Sequence, residues 1–393
     1  MREGWKVSKI GDAVRIASGQ VDPKDEAIVD LISVGPDNLV SGGGIDESGL
    51  RTARDLGQIS GKYAFDQNAI LYSKIRPNLN KAALPAFDGI CSADMYPMWV
   101  VDPARTNREF IYYVLTSERF VASATSRSFR TGLPKINRED LEAIEISLPP
   151  LPEQRKIAEI LRTWDEAHEK LTALRAAKER RLGALRAALL FGSLRLKGFR
   201  HNWAPTRLDA VTHELTKRNG ANGLSRGSVM GVTKAKGVVP MREQTIAADI
   251  SRYKRLPPRA FAYNPMRINV GSIAMNERVE AVLVSPDYVV FACNAEGLDP
   301  DYLDHLRKTS WWAHYINSGG SGSVRQRTYY ADLAALKLPL PDLDEQKTIA
   351  AVLNTARDDL AATEREIEAV TLQKRGLMQK LLTGEWRGEG KDS

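Results

Sequence analysis

The sequence predicts an α+β protein built as one unit used twice: two mixed α/β globular domains related by an internal repeat, separated by two long helices that form an antiparallel coiled coil. Three observations predict it. A segment of nearly fifty residues recurs without a gap at an offset of 192 positions. Within each copy the apolar residues advance in steps of four and three, the period of a helix packed on another helix. Ahead of each copy lies a stretch of short β-rich runs broken by turn residues.

The repeat is plainest where Leu148-Pro149-Pro150-Leu151-Pro152-Glu153-Gln154 returns as Leu340-Pro341-Asp342-Leu343-Asp344-Glu345-Gln346. Ile157, Ala158, Leu161 and Thr163 recur as Ile349, Ala350, Leu353 and Thr355. Leu185, Leu189, Leu190, Gly192 and Arg195 recur as Leu377, Leu381, Leu382, Gly384 and Arg387. Weaker echoes precede these: Ala69, Tyr72, Arg76 and Asn78 share an A-x-x-Y-x-x-x-R-x-N skeleton with Ala260, Tyr263, Arg267 and Asn269. Asp102-Pro103 parallels Asp299-Pro300, Asp140-Leu141 parallels Asp332-Leu333, and each unit opens on a tryptophan, Trp5 or Trp203. The resulting division is a first globular domain at 1–146, a helical region at 147–197, a second globular domain at 198–338, a second helical region at 339–387 and a flexible tail at 388–393. The globular parts have diverged far more than the helices, which points to one scaffold carrying two different recognition surfaces.

Prolines 149, 150 and 152 end an extended segment, and Glu153 then sets a carboxylate in a first helical turn, where the macrodipole favours it. The second helix shows the heptad best, through Ile349, Leu353, Ala356, Leu360, Thr363, Ile367, Val370, Lys374, Leu377 and Leu381. The first reads Ile157, Leu161, Trp164, His168 and Leu171, then drifts and resumes at Leu182, Leu185 and Leu189, with a companion stripe of Ile160, Ala167 and Leu174. The apolar members of these two rows are the expected helix-pairing residues. Gly192 and Gly384 stand where C-terminal caps belong. About 38 residues at roughly 1.5 Å each make a rod about 57 Å long. Each helix packing only on its own domain is the plainer alternative; the length, period and duplication favour pairing. Joined by a whole domain, the helices can run antiparallel, with the globular domains at opposite ends.

Within the globular parts, residues 69–72, 98–101, 281–284 and 288–292 read as strands, and 108–117 and 302–310 as helices. The 56 Lys and Arg against 49 Asp and Glu give +7, too modest to prove a nucleic-acid partner. Two distant cysteines, Cys91 and Cys293, leave neither a disulfide framework nor a Cys-based zinc site. His213-Glu214 does not extend to HExxH. No stretch approaches the roughly 18–20 apolar residues of a membrane span, and residues 1–19 lack a signal-peptide core, so the reading is a cytoplasmic protein.

Catalytic motifs fail one after another. Gly57-x-x-x-Gly61-Lys62 is one residue short of a P-loop and runs into Tyr63. Ser41-Gly42-Gly43-Gly44 lacks the strand–turn–helix setting of a dinucleotide site. Asn264-Pro265 is followed by Met266, so the Asn-Pro-Pro-aromatic motif that holds a flipped adenine is absent. The chain reads as carrying no chemistry of its own.

Basic residues interleaved with Tyr and Asn are instead candidates for DNA contact, because Arg and Asn offer bidentate forks to guanine and adenine and Lys neutralises phosphate. In the first unit they are Tyr72, Lys74, Arg76, Asn78, Asn80 and Lys81, with Arg127, Arg130 and Lys135 further on. In the second they are Arg252, Lys254, Arg255, Arg259, Arg267 and Asn269, with Arg325 and Arg327 after a Gly/Ser stretch at 318–323. The competing reading is a solvated charged face, with the shared Arg-x-Asn holding a turn.

Taken together these residues resemble the specificity subunits of type I restriction-modification systems. The most specific match is the run from Leu148 through Glu153-Gln154 to Ile157-Ala158, leading into a long helix that ends at Gly192, and its second copy closing on Leu381-Leu382-Thr383-Gly384. The runs 72–78 and 263–271 resemble segments of that family's target recognition domains. The resemblance implies two target recognition domains, each reading half of a bipartite double-stranded DNA target, with the paired helices as spacer and as docking surface for two modification subunits. It places S-adenosylmethionine on those methyltransferase partners and none on this chain, and admits a motor-nuclease restriction subunit. Pro341-Asp342-Leu343-Asp344 departs from the family pattern and bears on how the second helix starts. A coiled-coil assembly protein without sequence-specific DNA binding, or a single-chain restriction-modification enzyme, would be the alternatives; the missing methylase motif disfavours the latter.

Overall fold

Each unit begins by pinning its opening tryptophan to the start of a long helix. Trp5 Nε1 donates to Glu153 at 3.1 Å and Trp203 Nε1 to Glu345 at 3.0 Å. The computed structural model describes residues 4–128, 132–221, 223–318 and 327–386. Its contacts divide the chain into one unit of Met1–Thr172 with Glu366–Ser393 and another of Ala173–Arg365. The tail expected at 388–393 lies outside the described residues.

The first unit contains β1 (Lys6–Lys9), α1 (Ile10–Ala13), β2 (Val14–Ile16), β3 (Ile32–Val34), β4 (Arg51–Thr52), β5 (Lys62–Phe65), β6 (Ile70–Ser73), β7 (Ala82–Ala83), β8 (Gly89–Ser92), β9 (Met95–Val100), α2 (Arg108–Thr116), α3 (Glu118–Ser126), α4 (Arg138–Glu142) and β10 (Glu145–Leu148). Helix α5 (Leu151–Leu189) starts there and ends in the second unit. The second unit adds β11 (Ala204–Arg207), α6 (Leu208–Val211), β12 (Thr212–Glu214), β13 (Met230–Thr233), β14 (Gly237–Pro240), β15 (Lys254–Leu256), β16 (Phe261–Tyr263), β17 (Ile273–Met275), β18 (Val282–Val284), β19 (Val289–Cys293), α7 (Pro300–Leu306), α8 (Ser310–Ser318), α9 (Tyr330–Ala334) and β20 (Lys337–Leu340). Helix α10 (Leu343–Leu382) begins there and returns to the first.

The repeat extends to sheet topology. One four-stranded sheet has the order β2-β9-β6-β7 in the first unit and β12-β19-β16-β17 in the second. The other runs β4-β3-β8-β5 in the first unit, with β3 and β8 parallel. Its counterpart keeps the same order but is worn down: the β13–β14 hairpin meets the β15–β18 pair through a single parallel bridge, Val229 to Leu283. Strand β1 pairs β10 and β11 pairs β20, closing each globular part where its helix begins.

Each unit is three layers deep. Leu71, Ala83 and Met95 meet Val34, Phe65 and Cys91 between the sheets. The opposite face of the first sheet, with Ile70, Tyr72 and Met98, packs on Phe110, Phe120, Ile157, Leu161, Leu381 and Leu382. The second unit repeats this, with Phe261, Tyr263 and Phe291 against Tyr302, Leu306, Leu182, Leu189, Ile349 and Leu353. Full burial of each such side chain contributes about 1.5–3 kcal/mol, so helices and sheets stabilise one another. The expected strands at 69–72, 98–101, 281–284 and 288–292 are found within a residue or three. The helix expected at 302–310 is not continuous: α7 stops at Leu306, and Thr309 Oγ1 accepts from Trp312 N–H to start α8.

A buried glutamine joins each long helix to its globular part. Gln154 Nε2 donates to Arg105 and Pro149 carbonyls at 2.9 and 2.8 Å, and its Oε1 accepts from Asn107 N–H at 2.8 Å. Gln346 makes the same three bonds to Gly297, Pro341 and Asp299. Asn107 and Asp299 then cap α2 and α7. Both helices start at equivalent leucines; the departure at 341–344 supplies Asp342, whose carboxylate accepts from Glu345 N–H at 3.0 Å as an N-cap. Gly192 and Gly384 take positive φ, as expected of C-terminal caps.

The helices run antiparallel in each unit. In the first, Asp165 pairs with Lys374 while Ile157 and Leu161 share a core with Leu381 and Leu382. In the second, Arg175 pairs with Glu364 and, further along α5, Lys178 reaches back to Asp359 and Thr363. Of the expected pairing residues, Ile157, Leu161, Leu182, Leu189, Ile349, Leu353 and Leu381 are buried. Trp164, Leu171, Leu185, Leu360, Ile367, Val370 and Leu377 are half-buried. Leu174 of the companion stripe is exposed, contrary to expectation, because Arg175 and Lys178 beside it make polar contacts with α10. The polar seam residues Thr363 and Lys374 are therefore register pins.

In the second unit, buried His305 ties α7 to both helices, with Arg186 Nε at 3.3 Å and Asn354 Oδ1 at 3.0 Å. Burial pushes the imidazole down to about 4. The unfolded chain, near its ordinary 6.5, takes up this proton first, so the contribution is present above about pH 6.5 and lost as pH falls toward 4. We expect this group to remove roughly 2 kcal/mol of stability between pH 7 and pH 5. Melting of wild type and His305→Gln at both values checks it: the wild type should lose more than the variant, and equal losses would contradict it.

Candidate nucleic-acid interface

The repeated Arg-x-Asn element folds alike in both units. A one-turn 3-10 helix spans Pro77–Leu79 in the first and Ile268–Val270 in the second, each closed by a left-handed residue, Asn80 or Gly271. This turn leaves Arg76, Asn78, Arg267 and Asn269 exposed. In the first unit it lies against the 132–136 segment: Arg76 N–H donates to Pro134 at 2.8 Å and Ile75 bridges Lys135. Lys135 is exposed and pairs with Asp94 at 3.5 Å, and Arg127 is exposed at the end of α3. In the second unit Thr328 N–H reaches Pro265, bringing exposed Arg327 beside the Arg267 turn.

Other candidates serve the fold. Tyr72 is corrected to a core residue, 3% exposed and edge-on to Phe120. Lys74 is buried with its ammonium over the Tyr96 ring, and burial lowers its pKa. Asn80 Nδ2 donates to Thr116 and Lys81 Nζ to Pro36, each holding a carbonyl. Lys254 Nζ donates to Tyr288 at 2.7 Å; burial lowers its pKa. Arg255 reaches Asn219 O, whereas Arg252 gives only its carbonyl, which accepts from Arg218, and keeps its side chain exposed. Arg259 pairs with Asp301 and Asp299 at the start of α7, apart from the Arg267 turn. Arg130, Arg325 and the stretch at 319–323 lie outside the described residues.

Each unit also has a cleft that the sequence did not disclose. In the first it is about 590 Å³, between α3, β10 and the end of α10. In the second it is about 1070 Å³, between the β13–β14 turn, the Arg267 turn, the start of α8 and α5. They occupy equivalent places: Asn80, Ser117, Phe120 and Met378 in one correspond to Gly271, Thr309, Trp312 and Arg186 in the other. The signal for the second was a Lys234-Ala235-Lys236-Gly237 turn between β-branched runs. Among the described residues no group of three His, Cys, Asp or Glu is placed to hold a metal, and no helix is long and apolar enough to cross a membrane.

The chain is thus a duplicated α+β scaffold with two long helices that pair antiparallel in each unit and basic turns on its globular parts. Residues 2–177 match the family model described as type I restriction modification DNA specificity domain. The chain is 37% identical to the EcoDI type I specificity subunit of Escherichia coli over 39% of its length and 33% of that relative's. It is 23% identical to the MjaVIII specificity subunit of Methanocaldococcus jannaschii, covering 98% of this chain and 93% of that one. In fold it is similar to a chain from a solved type I restriction-modification system (TM-score 0.60, 20% identity, 98% and 99% coverage). It is also similar to the S subunit of M. genitalium (TM-score 0.60, 16% identity, 96% of each chain). The family model thus matches the first unit, and the likeness in fold extends over nearly the whole chain.

Proposed function

We propose that this chain reads a bipartite DNA target, one half-site per globular part, with α5 and α10 fixing the gap between them. It is a non-catalytic subunit: two modification subunits dock on it, carry S-adenosylmethionine and methylate adenine, and a motor-nuclease subunit joins for restriction. This chemistry acts on cytoplasmic DNA. The observation that carries the reading is the contrast within the repeat. Gln154 and Gln346 keep equivalent three-bond contacts, while the surfaces around the equivalent turns differ: Ile75 and Leu79 are half-buried in the first unit where Met266 and Val270 are exposed in the second. One scaffold held constant beneath two unlike surfaces suits two unlike half-sites.

Genome-wide mapping of methyladenine with and without the chain, beside its methyltransferase partner, tests this. Methylation at a two-part motif with a fixed gap should appear only with the chain. Methylation that ignores it, or complexes that assemble without sequence preference, would favour an assembly protein instead.

A further inference from the structure

We infer that the cleft of the second unit is a phosphate track: it holds the DNA backbone beside that unit's half-site, using Lys234, Lys236 and Arg278, residues outside the basic turns. This rests on the DNA-recognition reading above and adds where the backbone lies. The first ground is charge left over. Glu179 and Glu277, the acidic residues lining the cleft, are already paired with Arg175 and Arg357. Arg307 and Lys308 share the single carboxylate of Asp304, whose pKa burial would raise but these two cations hold below its ordinary range, and Arg186 on the same lining bonds His305 rather than an acid. Lys234, Lys236 and Arg278 are exposed on the cleft's lining, with no ion pair among the described residues. Three uncompensated cations around one concavity attract a polyanion and gain by releasing its counterions.

The second ground is a donor without an acceptor. Trp312 is 3% exposed and lines the cleft, and its indole N–H is buried without a hydrogen-bond partner. An indole only donates, so what completes it is an acceptor such as a phosphate oxygen. The equivalent cleft of the first unit lacks the spare donor and has fewer free cations: Arg119 and Arg127 make no ion pair among the described residues, and Glu145 shares their lining. Phe120 stands where Trp312 does, Glu118 pairs with Arg375, and Lys374 pairs with Asp165. A protein partner would be the other occupant, but a cationic rim with a spare donor favours phosphate over a mixed peptide surface.

The test uses the full chain assembled with its methyltransferase partner, and fluorescence anisotropy on two duplexes, one with the mapped target and one without. Replacing Lys234, Lys236 and Arg278 by Ala should weaken both duplexes by the same factor, tenfold or more. The slope of log affinity against log salt should shrink by about 2–3, at roughly 0.9 for each phosphate no longer neutralised. Trp312→Phe, which installs the first unit's residue, should weaken both severalfold. The methylated sequence should not change. Salt-dependent binding by the wild type with unaltered slope and affinity in the triple variant would overturn the cleft alone. Failed methyltransferase assembly with the salt slope kept would reassign it to a protein partner. A wild-type complex without sequence preference would overturn the function reading, and the inference with it.

Discussion

One heptad inserted into both long helices, after Thr172 in α5 and after Arg365 in α10, is expected to lengthen the gap of the recognised sequence by about three base pairs and leave both half-sites unchanged. Seven residues add about 10.5 Å of helix and fall only about 20° short of two full turns, so the apolar seam keeps its face. The insertion points lie between interhelical pins, Asp165–Lys374 on one side and Arg175–Glu364 on the other. Inserting into both helices keeps each pin intact. Inserting into α10 alone moves the partners about 10 Å out of register, and that chain should melt lower. Methyladenine mapping reads the gap directly; an unchanged gap in the double insertion would show that the helices do not set it.

Much of this architecture was legible because helices write themselves locally. The 192-residue offset, the heptads and the cap glycines are one-dimensional patterns, and the structure places them as read. The glutamine clamps were visible as repeated letters but not as clamps, since Gln154 and Gln346 bind backbone atoms nearly fifty positions away. Tyr72 misled for a physical reason. Strand β6 is buried on both faces, Ile70 and Tyr72 toward the helices and Leu71 toward the second sheet, so no polar alternation marks its inward side. Lys254 and Lys81 looked like ligand contacts because a lysine that holds a carbonyl is indistinguishable in sequence from one that holds a phosphate. Of the second unit's cleft only the Lys234–Gly237 turn could be read in sequence, because the concavity forms only when α5 closes against the β13–β14 turn and α8.

The clamps also explain why the globular parts diverge freely. Gln346 binds the carbonyl of Gly297 and the N–H of Asp299, groups that every residue except proline at the second position supplies. A foreign globular segment of the same fold can therefore be seated on the same helices. This modularity is the central claim, and exchanging residues 204–340 for the corresponding segment of a relative with a different target tests it most directly. Methyladenine mapping of the hybrid should show the second unit's half-site replaced, with the other half-site and the gap retained. A hybrid that methylates with both half-sites altered together, or with neither altered, would contradict the account.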